Sequence, residues 1–184
     1  MVDSWQFSVE RVEGRRKHLR LPDFDYARAG GYFVTICVKD KEQVLGNVVS
    51  EQTQLSSLGK VTQDVWNGLP KRYGNIKLDE FVIMPNHFHG IVWILGESSH
   101  LGSGGEGLRP SPTNANRPIG LPEIIRAFKS FSSREINKYR KTQGSKFWHR
   151  GYHEHILRNE DDLYQHRAYI QNNPLKWALD EYHL

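Results

Sequence analysis

Residues 81–94 read FVIMPNHFHGIVWI. Two runs rich in β-branched and aromatic residues, Phe81 to Met84 and Ile91 to Leu95, flank the turn-forming pair Pro85-Asn86, and the stretch predicts a β-hairpin. Side chains alternate along a strand, so His87 and His89 project to one face while Phe88 enters the opposite layer. Two neutral imidazoles about 6 to 7 Å apart at Cα can converge on one ion. They can equally lie at a sheet surface, hydrogen-bonded to water and neighbours, and spacing alone leaves both readings open.

Working outward, "YFVTICV" predicts a strand over Tyr32 to Val38, and "VLGNVV" a second. A helical pattern begins at Ser56 or Ser57, with apolar residues at Leu58, Val61, Val65 and Leu69. A strand from Ile76 to Met84 leads into the histidine strand. Residues 96–118 then shift to Gly, Ser, Pro and Asn and read as a flexible loop. Gly120 and Pro122 open the next helix, whose stripe is Leu121, Ile124, Ile125, Phe128 and Phe131. "FWHRGYHEHIL" reads as a strand, and "NEDD" supplies a cap and an acidic first turn for a last helix. With the "VLGNVV" strand set aside, the order is β-α-β-β-α-β-α. That order predicts an α+β, ferredoxin-like antiparallel sheet with helices packed on one face and a C-terminal helix.

The 184 residues suit one domain, 31–184, preceded by a basic arm over 1–30 that carries Arg15, Arg16, Lys17 and Arg20. Lys plus Arg number 25 against 21 Asp plus Glu, a net charge of only +4, yet the isoelectric point is 9.2. The uneven spread of basic residues makes a phosphate-bearing partner plausible. The single cysteine, Cys37, excludes a disulfide framework and a thiolate metal site; it reads as a small core residue in a reducing cytoplasm. No stretch approaches the roughly eighteen apolar residues of a membrane span, and the amino terminus has no apolar signal core. A cytoplasmic protein with no membrane partner is expected.

The last helix holds a second unusual feature, "RAYIQNNP". Leu163, Ile170 and Leu175 supply its apolar side, whereas Tyr169 shares a face with Gln165, His166, Asn172, Asn173 and Lys176. A tyrosine so placed is either an amphipathic surface residue or is available to something outside the helix. On the preceding helix Arg126, Lys129 and Arg134 either track a phosphate backbone or form a solvated face. A rival histidine pair, His153 and His155, flanks Glu154 on a predicted strand.

The combination resembles the single-tyrosine transposases of the HUH endonuclease superfamily, and most closely the REP-associated tyrosine transposases. "FVIMPNHFHGIVWI" is similar to that family's histidine–hydrophobic–histidine motif and "RGYHEHILRNEDDLYQHRAYIQNNPLKWALD" to its catalytic-helix segment. "RRKHLRLPDFDYARAGGYFVTICVKD" is similar to its opening strand and lead-in. The resemblance implies a catalytic domain over 31–184 that cuts and rejoins single-stranded DNA, acting on hairpin or repeated extragenic elements. It implies that Tyr169 is the nucleophile, that His87 and His89 bind a divalent ion, Mg²⁺ or Mn²⁺, and that the product is a 5′-phosphotyrosine link. A phenol with an ordinary pKa near 10 is a poor nucleophile at neutral pH, and a metal that polarises the phosphate compensates.

Two histidines rarely hold a catalytic ion alone. Asn173, four residues after Tyr169, brings an amide oxygen to the same side, and the resemblance gives the asparagine at this spacing the role of third ligand. Asn172 is the alternative, since Pro174 disfavours helical geometry at Asn173. Single-stranded or hairpin DNA is the expected partner of a monomer or homodimer. Two other classes stay open: a non-catalytic nucleic-acid binding module on a ferredoxin-like fold, and a metal-dependent hydrolase in which water attacks.

Overall fold

The structure, a computed structural model, describes residues 24–96, 119–179 and 182. Four strands form an antiparallel sheet: β1 (Gly30–Cys37), β4 (Ile76–Ile83), β5 (His87–Ile94) and β6 (His153–Leu157), in the order β4-β5-β1-β6. Two long helices, α1 (Ser57–Asn67) and α3 (Leu121–Arg140), cross between strands, with the short α2 (Leu69–Arg72) after α1. A final helix, α4 (Glu160–Asn172), follows β6. With β1 central and β5 between β1 and β4, this is the expected ferredoxin-like α+β arrangement.

The two sheet faces are built from alternate residues. Phe88 turns to the face covered by α1 and α3, where its ring lies 4.6 Å from Trp66 and 5.2 Å from Phe128. Gly90, next on that face, leaves space for these rings: a Cβ there would stand 2.7 Å from Phe88 and 2.9 Å from Trp66. Leu121, Ile124, Ile125 and Phe128 of the expected α3 stripe are all fully buried. Phe131 is only half-buried, lying 4.0 Å beneath the Arg72 guanidinium. The other sheet face is covered by α4, whose Ile170 packs with Ile91 and Leu157. The helices thus divide, α1 and α3 on one face and the C-terminal helix on the other.

Local signals set the helix ends. The Ser56 hydroxyl accepts from the Gly59 amide at 3.1 Å, capping α1. Asn159 does the same for α4, its side-chain oxygen accepting from the Asp162 amide at 2.8 Å. "VLGNVV" supplies β2 (Gly46–Val49), which pairs with β3 (Gln52–Leu55) in a separate two-stranded hairpin. The strand expected from "FWHRGYHEHIL" begins only at His153. Before it, Trp148 bridges to Val38, and the Lys129 ammonium draws in the carbonyls of His149, Arg150 and Gly151 at 2.7, 3.2 and 3.0 Å. Three consecutive carbonyls turned to one cation cannot alternate sides as those of a strand do. Leu175, expected on the apolar side of α4, is 51% exposed, because the chain leaves the α-helix at Asn173 for a 3-10 turn over Pro174–Leu179. No helix among the described residues is long and apolar enough to cross a membrane.

Candidate active site

His87 and His89 are not surface residues: their exposures are 0% and 1%. They share the sheet face beneath α4, with ring centroids 4.5 Å apart. Each ring is oriented through Nδ1. Asn86 Nδ2 donates to the carbonyls of Lys41 and Tyr182, at 3.2 and 2.6 Å. This fixes the amide so that Asn86 Oδ1 faces His87 Nδ1 at 2.9 Å. A carbonyl oxygen only accepts, so His87 carries its proton on Nδ1, and Nε2 keeps its lone pair. On the neighbouring strand Thr35 Oγ1 holds His89 Nδ1 at 2.8 Å. Thr35 and Asn86 are site residues that the motif reading missed. Asn86 stands inside the quoted motif, but Thr35 is 54 positions from His89 and meets it only through strand register.

The helix brings the remaining groups. The Tyr169 ring stands edge-on to His89 at 5.2 Å and to Phe33 at 5.9 Å, and the residue remains 38% exposed. Asn173 is 3% exposed, and its Oδ1 is buried without a hydrogen bond of good geometry to any described residue, as is His89 Nε2. Asn172 points elsewhere, exposed and donating from Nδ2 to the Ala168 carbonyl at 2.8 Å. Trp177 and Tyr182 lie over His87 at centroid distances of 6.0 and 4.7 Å. Of the polar face expected of α4, His166 and Asn173 are buried against a sheet that is itself polar at this point, while Gln165, Tyr169, Asn172 and Lys176 are exposed.

Burial drives the His87 pKa down to about 3; the adjacent Asn173 amide acts the other way, and the Lys41 charge adds to the lowering. His89 is held well below its ordinary value by burial and by His87. Both rings are neutral near pH 7, which is the metal-ligating form. Buried polar atoms without partners are costly. Two imidazoles with oriented Nδ1 atoms and an adjacent amide oxygen therefore fit a divalent cation with positions left for water or phosphate oxygen.

The other expected residues fall in different places. Arg126 and Arg134 are exposed on α3, whereas Lys129 is committed to three carbonyls of its own chain. Arg15, Arg16, Lys17, Arg20 and nearly all of the 96–118 loop lie outside the described residues. In the rival pair, His153 is exposed, while His155 joins Asp162 and His166 in a separate cluster across Phe33 from His89. A bulge in β4 between Leu78 and Phe81 presents Asp79 to α4, where its carboxylate accepts from Arg167 Nε at 2.8 Å and Nη2 at 2.6 Å.

No family model matches the chain. An uncharacterized protein of Haemophilus influenzae is 35% identical over 171 residues, spanning 90% of this chain and 92% of that protein. Among solved structures, a REP-associated tyrosine transposase bound to a REP hairpin superposes with a TM-score of 0.56 at 18% identity, over 85% of this chain and 73% of that one. The chain thus has the fold of that transposase, and it belongs to the same family as the Haemophilus influenzae protein.

Proposed function

We propose that this chain is a metal-dependent single-stranded DNA endonuclease and strand transferase, with Tyr169 as nucleophile and His87, His89 and Asn173 as metal ligands. The observation that carries the reading is the convergence of an accessible phenol with two buried neutral imidazoles and a buried amide beside His87 on one face of the sheet. The likeness in fold to a transposase bound to a REP hairpin supports hairpin or single-stranded DNA as the substrate class.

In the reaction the Tyr169 oxygen forms a bond to phosphorus as the P–O3′ bond breaks. The phenol proton passes to solvent and the departing 3′ oxygen takes one up, leaving a 5′-phosphotyrosine and a 3′-hydroxyl. A bound divalent ion would supply electrophilic polarisation of the scissile phosphate. The protein's own part is placement. Asn86 and Thr35 orient the imidazoles, Phe33 and His89 hold the tyrosine ring edge-on, and α4 carries the nucleophile with the amide ligand at its C-cap. Because the phosphodiester is conserved as an ester to tyrosine, rejoining needs no nucleotide cofactor.

The test is incubation with single-stranded hairpin DNA and Mn²⁺ or Mg²⁺, followed by denaturing electrophoresis. Wild type is expected to give a protein–DNA adduct, and Tyr169→Phe to give none while keeping the wild-type circular dichroism. An adduct formed at the normal rate by the Phe variant would move the nucleophile to Tyr164 or Tyr152. DNA cut without any adduct would mean that water attacks, and retention of DNA without cutting would mean a binding module.

A further inference from the structure

We propose that His155, Asp162 and His166 form a second divalent-cation site, separate from His87 and His89, that ties α4 to β6. His155 stands on β6 opposite Phe33 of β1, on the sheet face that α4 covers. Asp162 and His166 lie one helical turn apart on α4 and so present their side chains together. The His155 and His166 rings are stacked at 4.5 Å with 23° between their planes. His155 Nε2 lies 3.0 and 2.9 Å from the two Asp162 carboxylate oxygens, and His166 Nδ1 lies 3.1 Å from Oδ1. One ligand atom from each of the three residues falls within 4.8 Å of the others.

Donors about 2 Å from a tetrahedral ion stand roughly 3.3 Å apart from one another, so the two nitrogen–oxygen pairs are already near that spacing. Two imidazoles and one carboxylate, with one position left for water, form a donor set suited to zinc and its borderline neighbours rather than to magnesium. The carboxylate also gives this site a formal negative charge that the His87, His89 and Asn173 set lacks. At 40% side-chain exposure His155 leaves the site reachable from solvent, while Asp162 and His166 sit deeper, at 18% and 10%. His166 Nδ1 also lies 2.8 Å from the Asp162 carbonyl. Ligation through Nδ1 gives up that contact, and the carbonyl keeps its ordinary helical partner.

The site has mechanical work available to it. Of the residues of α4, His166 and Ile170 are the buried ones, so apolar packing holds this helix thinly. An ion shared between β6 and the first two turns would fix the segment that carries Tyr169 one turn further on. Cation binding by these three residues does not depend on cleavage of DNA by the chain.

The test is a zinc titration of the metal-stripped full chain by calorimetry, with visible absorption of the cobalt form as a second readout. His87→Ala/His89→Ala, which removes the other candidate site, is expected to keep one equivalent of zinc. Adding His155→Gln, which retains a hydrogen-bonding group for Asp162 but ligates poorly, should weaken that binding by on the order of 100-fold or more. Asp162→Asn should do the same. If the histidine pair variant does not fold, the count is made on the otherwise unaltered chain, where His155→Gln should lower it by one equivalent. No saturable zinc binding in the folded pair variant, or binding that neither His155→Gln nor Asp162→Asn moves, would overturn the site and leave the three residues as a hydrogen-bonded cluster.

Discussion

Asn172 and Asn173 are identical in chemistry and adjacent in sequence, yet the fold gives them opposite surroundings. Asn172 spends its amide on the Ala168 carbonyl of its own helix and is exposed. Asn173 is buried at 3% exposure beside His87, with Oδ1 lacking a well-formed bond among the described residues. The proline that follows does not prevent this: Asn173 keeps helical angles as the last residue before the 3-10 turn. Asn173→Ala is expected to weaken metal binding and adduct formation together by about 10 to 100-fold, with activity returning as metal is raised. Asn172→Ala should change either by less than about two-fold, since its hydrogen bond is exposed. Equal effects from the two, or an unchanged metal titration for Asn173→Ala, would remove the amide from the ligand set.

At the scale of elements the question is how a helix with so little apolar contact is held in register with the sheet. The bulge in β4 answers part of it. The Asp79 carboxylate takes two bonds from the Arg167 fork and one from Trp93 Nε1 at 3.0 Å. Arg167 lies two residues before Tyr169, so this pairing fixes the rotation of α4 about its axis. The Arg167 bond foremost, helped by Trp93 and the Glu80 amide and opposed by desolvation, holds the Asp79 carboxyl at about 2, below its ordinary 3.8. A depressed carboxyl stabilises the fold above the unfolded value and loses that contribution as pH falls through the folded one. The stability difference between wild type and Asp79→Asn should therefore be constant above about pH 5 and close between pH 3.8 and about 2. Its size should be on the order of 1 kcal/mol, since the Arg167 side chain is 43% exposed. Urea unfolding at several pH values measures it. Arg167→Lys, which keeps charge but loses the fork, should slow adduct formation more than it weakens DNA binding. Such a pairing could not be read in advance, because it joins residues 88 positions apart through a bulge that no local pattern announces. The histidine hairpin, the caps at Ser56 and Asn159 and the α3 stripe were legible, being short-range and periodic. Legible too was Tyr169 among polar neighbours, but not that two of them, His166 and Asn173, are buried, which depends on a polar patch of sheet meeting them.

Across the whole molecule the net charge of +4 is too small for a general field to gather DNA, so any electrostatic attraction has to come from local placement. α3 separates its basic residues into two kinds. Arg126 and Arg134 face solvent, and the Arg134 guanidinium lies 5.3 Å from the Phe131 ring that Arg72 also covers. Lys129 spends its ammonium on His149, Arg150 and Gly151, and its pKa is lowered chiefly by desolvation. If α3 contacts phosphates, Arg126→Ala/Arg134→Ala should reduce the slope of log affinity against log salt by nearly 1 per lost contact, about 1.4 in all for a single strand and 1.8 for a duplex stem. Lys129→Met should leave that slope unchanged. It should instead cost on the order of 1 kcal/mol of stability, by removing the donor that three carbonyls share and releasing the chain that leads into β6. DNA affinity at three salt concentrations, set beside urea midpoints, separates the two kinds. A slope unmoved by the arginine pair would make them a solvated face, and a slope flattened by Lys129→Met would place that ammonium on the DNA, contrary to its three carbonyl bonds.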